Sequence, residues 1–377
     1  MRPIHMVDLK QQYLNIKPAI DAAIHEVLDN TNFINGKPVQ TFAEELSKYL
    51  HVKHTIPCAN GTDALQIAMM ALGLQPGDEI ITPSFTYIAT TEVIALLKLK
   101  PIFVEVDPQT FCIDPQAIEK AITPKTKAIV PVHLYGQSAN MEAIMRIAKQ
   151  HNLFVIEDNA QAIGCDYTFS NGVIQKTGTI GHIGCTSFFP SKNLGCYGDG
   201  GAICTNDDSL AATLKMIANH GQSVKYYHDV VGCNSRLDTI QAAVLNIKLK
   251  KLEEYIKARQ QAAAFYNKAF APYTSIITTP YIASYSTHVY HQYTIQLKGI
   301  NRNALHDYLA AQNIPSMIYY PVPAHQQKMF TSYNTNYLLP ITNQLTTCVL
   351  SLPMHTELDE EQLQYITNHI INYVKNN

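Results

Sequence analysis

The sequence predicts an α/β fold: a large domain built on a mostly parallel sheet, followed by a smaller carboxyl-terminal α+β domain. Three observations lead there. Short apolar segments near 54–58, 79–83, 101–106, 127–132, 153–157, 185–189 and 201–205 have the length of strands. Between several of them lie stretches of helical periodicity, at 62–73, 86–98, 115–122, 140–151 and 207–219. Strands alternating with helices in this way make βαβ units, whose sheet is parallel and covered on both faces. Finally, 377 residues with 46% hydrophobic content supply enough apolar side chain for a large core.

Taken in order, the chain opens with amphipathic helices at 16–30 and 39–50, separated by the turn-rich stretch 32–38. The strand–helix alternation then runs from about residue 54. The helix at 115–122 announces its own start, with Asp114 as N-cap and Pro115 at the first helical position, where a missing N–H costs nothing. After Asp238 the texture changes to one long helical pattern, 240–270, carrying the charged run 248–257. The remainder mixes a strand near 289–297 with helices at 302–312 and 358–374. This divides the chain into a large domain, 1–245, and a small domain, 246–377.

Composition removes several classes of function. Lys plus Arg is 28 against 30 Asp plus Glu, a net charge of −2. That balance excludes a chain-wide electrostatic grip on nucleic acid or an anionic membrane, and neither is expected as a partner. The richest apolar run, 64–74, is about half the roughly 20 residues of a membrane span. The amino terminus has no apolar signal region, so a cytoplasmic location is expected. The 8 cysteines form no Cys-x-x-Cys pair and read as small buried thiols rather than metal ligands or disulfides; no metal is expected.

In an open parallel sheet, ligands bind beyond the carboxyl ends of the strands, so the turns that follow strands are the informative places. Three stand out. Asn60-Gly61-Thr62-Asp63-Ala64-Leu65 ends a strand and opens a helix, with a glycine that permits close approach and amides free to cradle a phosphate. Taken alone, it is also an ordinary helix cap. Glu157-Asp158-Asn159-Ala160-Gln161 places a carboxylate where water is scarce and a cation is wanted, although Asp158 alone could cap the next segment. Thr186-Ser187-Phe188-Phe189-Pro190-Ser191-Lys192, followed by Gly198-Asp199-Gly200-Gly201, sets a lysine beside close-packed backbone, where desolvation would free its amine as a nucleophile. Lysines also snorkel out of such places. Each feature is ordinary by itself. Together, in this order, they match the three ends of pyridoxal phosphate: its phosphate, its ring nitrogen and its aldehyde. Tyr87 follows another strand, where an aromatic can stack on the ring.

These stretches, with His133-Leu134-Tyr135-Gly136, Gly232-Cys233-Asn234-Ser235-Arg236-Leu237-Asp238 and Tyr319-Tyr320-Pro321-Val322-Pro323-Ala324-His325, resemble the DegT/DnrJ/EryC1/StrS nucleotide-sugar aminotransferases nearly end to end. The resemblance implies the type I (aspartate aminotransferase-like) fold of pyridoxal-phosphate-dependent transferases. It implies Lys192 as the lysine that bonds the cofactor and shuttles the proton, and Asp158 as the partner of the ring nitrogen. Gln161 would meet the ring hydroxyl, Gly61, Thr62 and Ser187 the phosphate, and Tyr87 the ring face. Asn234 would reach the phosphate of a partner subunit, giving a homodimer with shared sites, while Arg236 and His325 would lie near substrate. The family often has an aromatic where this chain has Ser235; the Asn-Ser-Arg-Leu-Asp form is similar to members acting on 3-keto sugars.

The activity so implied is transfer of the glutamate amino group to a nucleotide-linked keto sugar, in amino-sugar or polysaccharide biosynthesis. Relatives that dehydrate sugars carry histidine where this chain has Lys192, which favours amine transfer. Other enzymes of the same scaffold (4-keto sugar, cyclitol or aminohydroxybenzoate type) remain alternatives, as does a non-catalytic cofactor-binding regulator. A dinucleotide-binding oxidoreductase is disfavoured, because no Gly-x-Gly-x-x-Gly follows the first strand. Lys225 and Lys328 are either further cations for the substrate diphosphate or solvated surface charges, and the Tyr- and His-rich segment 281–293 either lines a sugar pocket or, the simpler reading, is an amphipathic strand.

Overall fold

The computed structural model describes residues 1–333 and 337–377. Seven strands form one sheet in the spatial order His54–Cys58, Gly201–Thr205, Ile183–Ser187, Phe154–Asp158, Thr126–Ile129, Glu79–Pro83, Lys100–Val104. The five from Ile183–Ser187 to Lys100–Val104 pair in parallel, whereas Gly201–Thr205 runs antiparallel to both its neighbours. Consecutive residues along the strands enter opposite cores. Ile81, Ile129 and Val155 pack with Ile118, Ile144 and Ile147 of two helices. Ile80, Ala128 and Ile156 pack with Leu65, Ala68, Val93 and Leu214 from three others. This period-2 division is what a sheet covered on both faces requires.

Several boundaries differ from expectation. The first helix is Leu9–Asn30, not 16–30, because the Asp8 side chain accepts the Gln11 N–H and caps it seven residues earlier. The strand expected at 127–132 is Thr126–Ile129; Pro131 has no N–H with which to extend the ladder. The single helix expected at 240–270 is two, Thr239–Leu249 and Leu252–Phe270. The first packs on the two amino-terminal helices and the second on Glu360–Asn376, so the chain turns between two sets of neighbours without a glycine or proline to mark it. The helix Pro340–Cys348, the four-residue strand Val349–Leu352 and two small hairpins were absent from the expected elements. Position 245 falls inside the helix Thr239–Leu249, where Leu245 packs with Phe42 and Leu46.

Beyond the large sheet, Ile277–Thr278, Tyr293–Leu297 and Val349–Leu352 form an antiparallel sheet. Its core joins Tyr266, Phe270, Ile295, Leu309, Leu350 and Ile366, and takes in Ile4 from the amino terminus. All eight cysteines are free. Among the described residues, no helix is long and apolar enough to cross a membrane.

Candidate active site

A cavity of about 720 Å3 opens beyond the carboxyl ends of the parallel strands. Gly61, Thr62, Tyr87, Asp158, Gln161, Ser187 and Lys192 all line it. They come from separate loops, and the sheet order brings them together.

The cradle is made by the reversed strand. Gly201 pairs with Cys58 on one side and Ser187 on the other, so two strand ends converge on one glycine. A Cβ on Gly201 would lie 2.4 Å from the Asn60 carbonyl oxygen, and one on Gly61 would lie 2.7 Å from the Ser187 Cβ. Only glycine permits this approach of backbone to backbone. The cap of the helix Gly61–Ala71 is Asn60, whose side chain accepts the Asp63 N–H at 2.8 Å. The N–H groups of Gly61 and Thr62 donate to no group among the described residues, and they stand at the positive end of the helix dipole.

The two adjacent carboxylates have different employments, which their sequence does not distinguish. Glu157 is fully buried and accepts from the N–H groups of Gly178, Ile180 and Gly181 at 2.8, 2.7 and 2.6 Å and from His133 Nε2 at 2.8 Å. Because the Ala139 N–H donates to His133 Nδ1, the network assigns the imidazole proton to Nε2. Glu157 therefore ties a strand end to the loop 178–181. Glu157→Gln removes the charge these donors share and turns one N–H toward them. It is expected to cost about 2–3 kcal/mol of stability, read by denaturant melts, with catalytic rate changed only severalfold. Asp158 points the other way along the pleat. Its Oδ2 accepts from Thr90 Oγ1 at 2.8 Å and its Oδ1 from the Ala160 N–H at 3.1 Å. The residue is 5% exposed, at the pocket wall.

Lys192 follows a turn closed by its own N–H on the Phe189 carbonyl. Burial lowers its amine from 10.5 to about 8, against an opposing pull from Asp158. At pH 7 this raises the free-base fraction by roughly two and a half orders of magnitude over an ordinary lysine. In cofactor-free protein, acylation of Lys192 should half-titrate near pH 8, as followed by mass spectrometry; half-titration above 10 would contradict the environment described. The sign for stability follows: the folded state resists protonating this amine, so the group penalises folding below pH 8 and ceases to above 10.5. His291 lines the same pocket and is neutral, since burial and the Lys192 charge hold its imidazole well below the usual range.

Gln161 is held at both ends, its Oε1 accepting the Tyr135 N–H at 2.7 Å and its Nε2 donating one N–H to the Tyr320 hydroxyl at 3.0 Å, which leaves a second N–H for the pocket. Tyr87 stands at the mouth, with ring centroid 6.2 Å from that of Tyr320.

Three expected site residues do not line this pocket. His325 is buried behind it, with Nδ1 2.7 Å from Ser84 Oγ and its ring against Phe103 and Tyr337. Asn234 is exposed and Arg236 half-buried; Ser235 between them accepts the Ala59 N–H at 3.0 Å, which fastens this segment to the cradle loop. Lys225 and Lys328 are exposed. The segment 281–293 is more than an amphipathic strand, because His291 and Gln292 form part of the pocket wall. Thr90, the partner of Asp158, was missed as well; nothing in a threonine at the start of a helix marks it.

The chain matches the DegT/DnrJ/EryC1/StrS aminotransferase family over residues 14–371. It is 46% identical to the UDP-2-acetamido-2-deoxy-3-oxo-D-glucuronate aminotransferase of Pseudomonas aeruginosa, over 98% of this chain and 100% of that protein. It is 44% identical to the UDP-N-acetyl-3-dehydro-alpha-D-glucosamine 3-aminotransferase of Acidithiobacillus ferrooxidans, over 97% of each chain. Among solved structures, Streptomyces venezuelae DesV in complex with a ketimine intermediate superposes with a TM-score of 0.93 at 37% identity, over 99% of each chain. The pocket thus sits on a type I aminotransferase scaffold, and the protein belongs to the DegT/DnrJ/EryC1/StrS aminotransferase family.

Proposed function

We propose that the protein is a pyridoxal 5′-phosphate-dependent aminotransferase that moves the amino group of glutamate onto a nucleotide-linked 3-keto hexose in amino-sugar or polysaccharide biosynthesis. The observation that carries this reading is the meeting of an anion cradle, a buried carboxylate and a buried amine in one cavity. The residues fit the cofactor. The free N–H groups of Gly61 and Thr62, with the Thr62 and Ser187 hydroxyls, would hold its phosphate. Asp158, braced by Thr90, would hold the proton on its ring nitrogen; Gln161 would meet the ring hydroxyl, and Tyr87 would cover a face. When bound, the group supplies an aldehyde for attachment to Lys192 and a cationic ring that accepts the electron pair left by a broken C–H bond.

Lys192 Nζ, as free base, takes the α-proton of the donor and delivers it elsewhere, a task suited to an amine whose burial brings its pKa to about 8. Asp158 must remain anionic throughout. The 3-keto substrate is supported by the names of the two relatives, which act on 3-oxo and 3-dehydro UDP sugars.

The assembly we propose is a homodimer. Tyr87 and Phe189 line the pocket yet are 57% and 53% exposed, and Val231 near Asn234 is 84% exposed. A second copy would cover them, bringing Asn234 to the cofactor phosphate and Arg236 to the substrate diphosphate. His325, buried behind the pocket with its Nδ1 on the Ser84 hydroxyl, would then support this wall from outside rather than touch the sugar.

Loaded with cofactor, the protein should release one equivalent of 2-oxoglutarate per chain from L-glutamate, then convert a UDP-linked 3-keto hexose to its amino sugar. Absence of 2-oxoglutarate at saturating glutamate sinks the reading; conversion of 4-keto isomers alone sinks its 3-keto part. Light scattering should give twice the 42.1 kDa chain mass.

A further inference from the structure

The chemistry above leaves a second buried lysine unused. Lys248, on the helix Thr239–Leu249, is 1% exposed. Its amine donates to the Gly195 carbonyl at 2.6 Å and lies 5.0 Å from the centre of the Tyr197 ring. No carboxylate is among the groups that act on it. Burying an ammonium without a counter-ion is costly, so what it holds is informative.

It holds the loop that carries Lys192. That loop closes on itself, the Lys192 N–H on the Phe189 carbonyl and the Cys196 N–H on the Phe188 carbonyl, both at 2.8 Å. A Cβ on Gly195 would lie 2.3 Å from the Pro190 carbonyl oxygen, so backbone meets backbone at the point Lys248 grips. Gln241 lies two turns earlier, on the same helix face. Its Oε1 accepts the Tyr197 N–H at 2.8 Å. The Lys192 amine itself makes no hydrogen bond among the described residues, so the loop alone decides where it stands.

We infer that Lys248 is a positioning residue for Lys192: with Gln241 it clamps the loop from outside the pocket lining, keeping the Lys192 amine in place whenever no covalent bond holds it. This rests on Lys192 being the cofactor-bearing amine.

The test compares Lys248→Met, which removes both contacts at similar volume, with Lys248→Arg. In the Met variant, amide hydrogen exchange of residues 188–198 should rise about tenfold in cofactor-free protein, with residues 61–71 unchanged. Reductive trapping of the cofactor with borohydride should weaken about tenfold, kcat should fall with the sugar KM constant, and Lys248→Arg should restore most of each. If Lys248→Met does not fold, Lys248→Gln is read the same way. Loop exchange and trapping within twofold of the unaltered protein overturn the proposal, as does equal loosening of 61–71, which would mean general destabilisation. In the unaltered protein, trapping on another lysine overturns the assignment of Lys192 and this proposal with it. Trapping on Lys192 with an unaffected Lys248→Met overturns this proposal alone.

Discussion

Lys192→Ala is expected to lower turnover by about four orders of magnitude while leaving the fold intact. The loss should be large because, in the proposed function, one amine would serve as both covalent attachment and pre-positioned base. Neither duty passes to a neighbour: burial makes His291, the other nitrogen base on the pocket wall, far less basic than an ordinary imidazole, and an imidazole cannot provide the primary amine that attachment needs. The fold should survive because the amine makes no hydrogen bond that truncation would orphan, and its side chain borders a cavity rather than a packed core. Below pH 8 the variant should be as stable as the parent or more so, since the penalty for protonating a buried amine disappears with it. Single-turnover release of 2-oxoglutarate, with a thermal melt at pH 7, checks both halves. Small primary amines added to the buffer should restore part of the proton transfer. Undiminished turnover would remove Lys192 from the chemistry altogether.

Asp158→Asn should lower kcat/KM for glutamate about a thousandfold, with KM little changed. The amide keeps the shape and can still accept from Thr90 Oγ1 or the Ala160 N–H, so stability should be nearly preserved. What it loses is the charge that, in the proposed function, would face the ring nitrogen of the cofactor. In a site this buried, no water takes over that duty, and a preorganised charge is worth far more than in solution. A cofactor analogue methylated at the ring nitrogen, permanently cationic, should recover much of the loss in Asp158→Asn and none of it in Lys192→Ala. Activity within tenfold of the parent, or no difference between the two cofactors, would mean that Asp158 does not set the protonation of the ring. The contrast with Glu157→Gln sharpens the point, since that neighbouring carboxylate, wholly engaged by three backbone N–H groups and His133, should move stability and spare the chemistry.

Much of this arrangement is written in local pattern. Strands 54–58, 79–83 and 201–205 were placed to the residue, as was the cap at Asp114, because apolar period and capping chemistry act over a few residues. The turns after strands were legible for the same reason: a glycine, a carboxylate or a lysine at the end of an apolar run is a local signal, and the open parallel sheet says which end binds. Seven of the ten expected site residues line one cavity; the turns marked their segments, and the resemblance to the family singled out the individual residues.

The sequence by itself thus determined the class of fold and which turns line the pocket, through patterns only a few residues long. Tertiary structure decided which long-range neighbours complete it. No residue in Gly201–Thr205 marks its reversed direction, yet that reversal brings Asn60, Gly61 and Ser187 against one another. Nothing local separates Glu157 from Asp158, sends His325 behind the wall, draws His291 and Gln292 into it or seats Lys248 under the Lys192 loop. Those outcomes depend on strand order and on packing between segments far apart in the chain, and such contacts exist only once the whole core has closed.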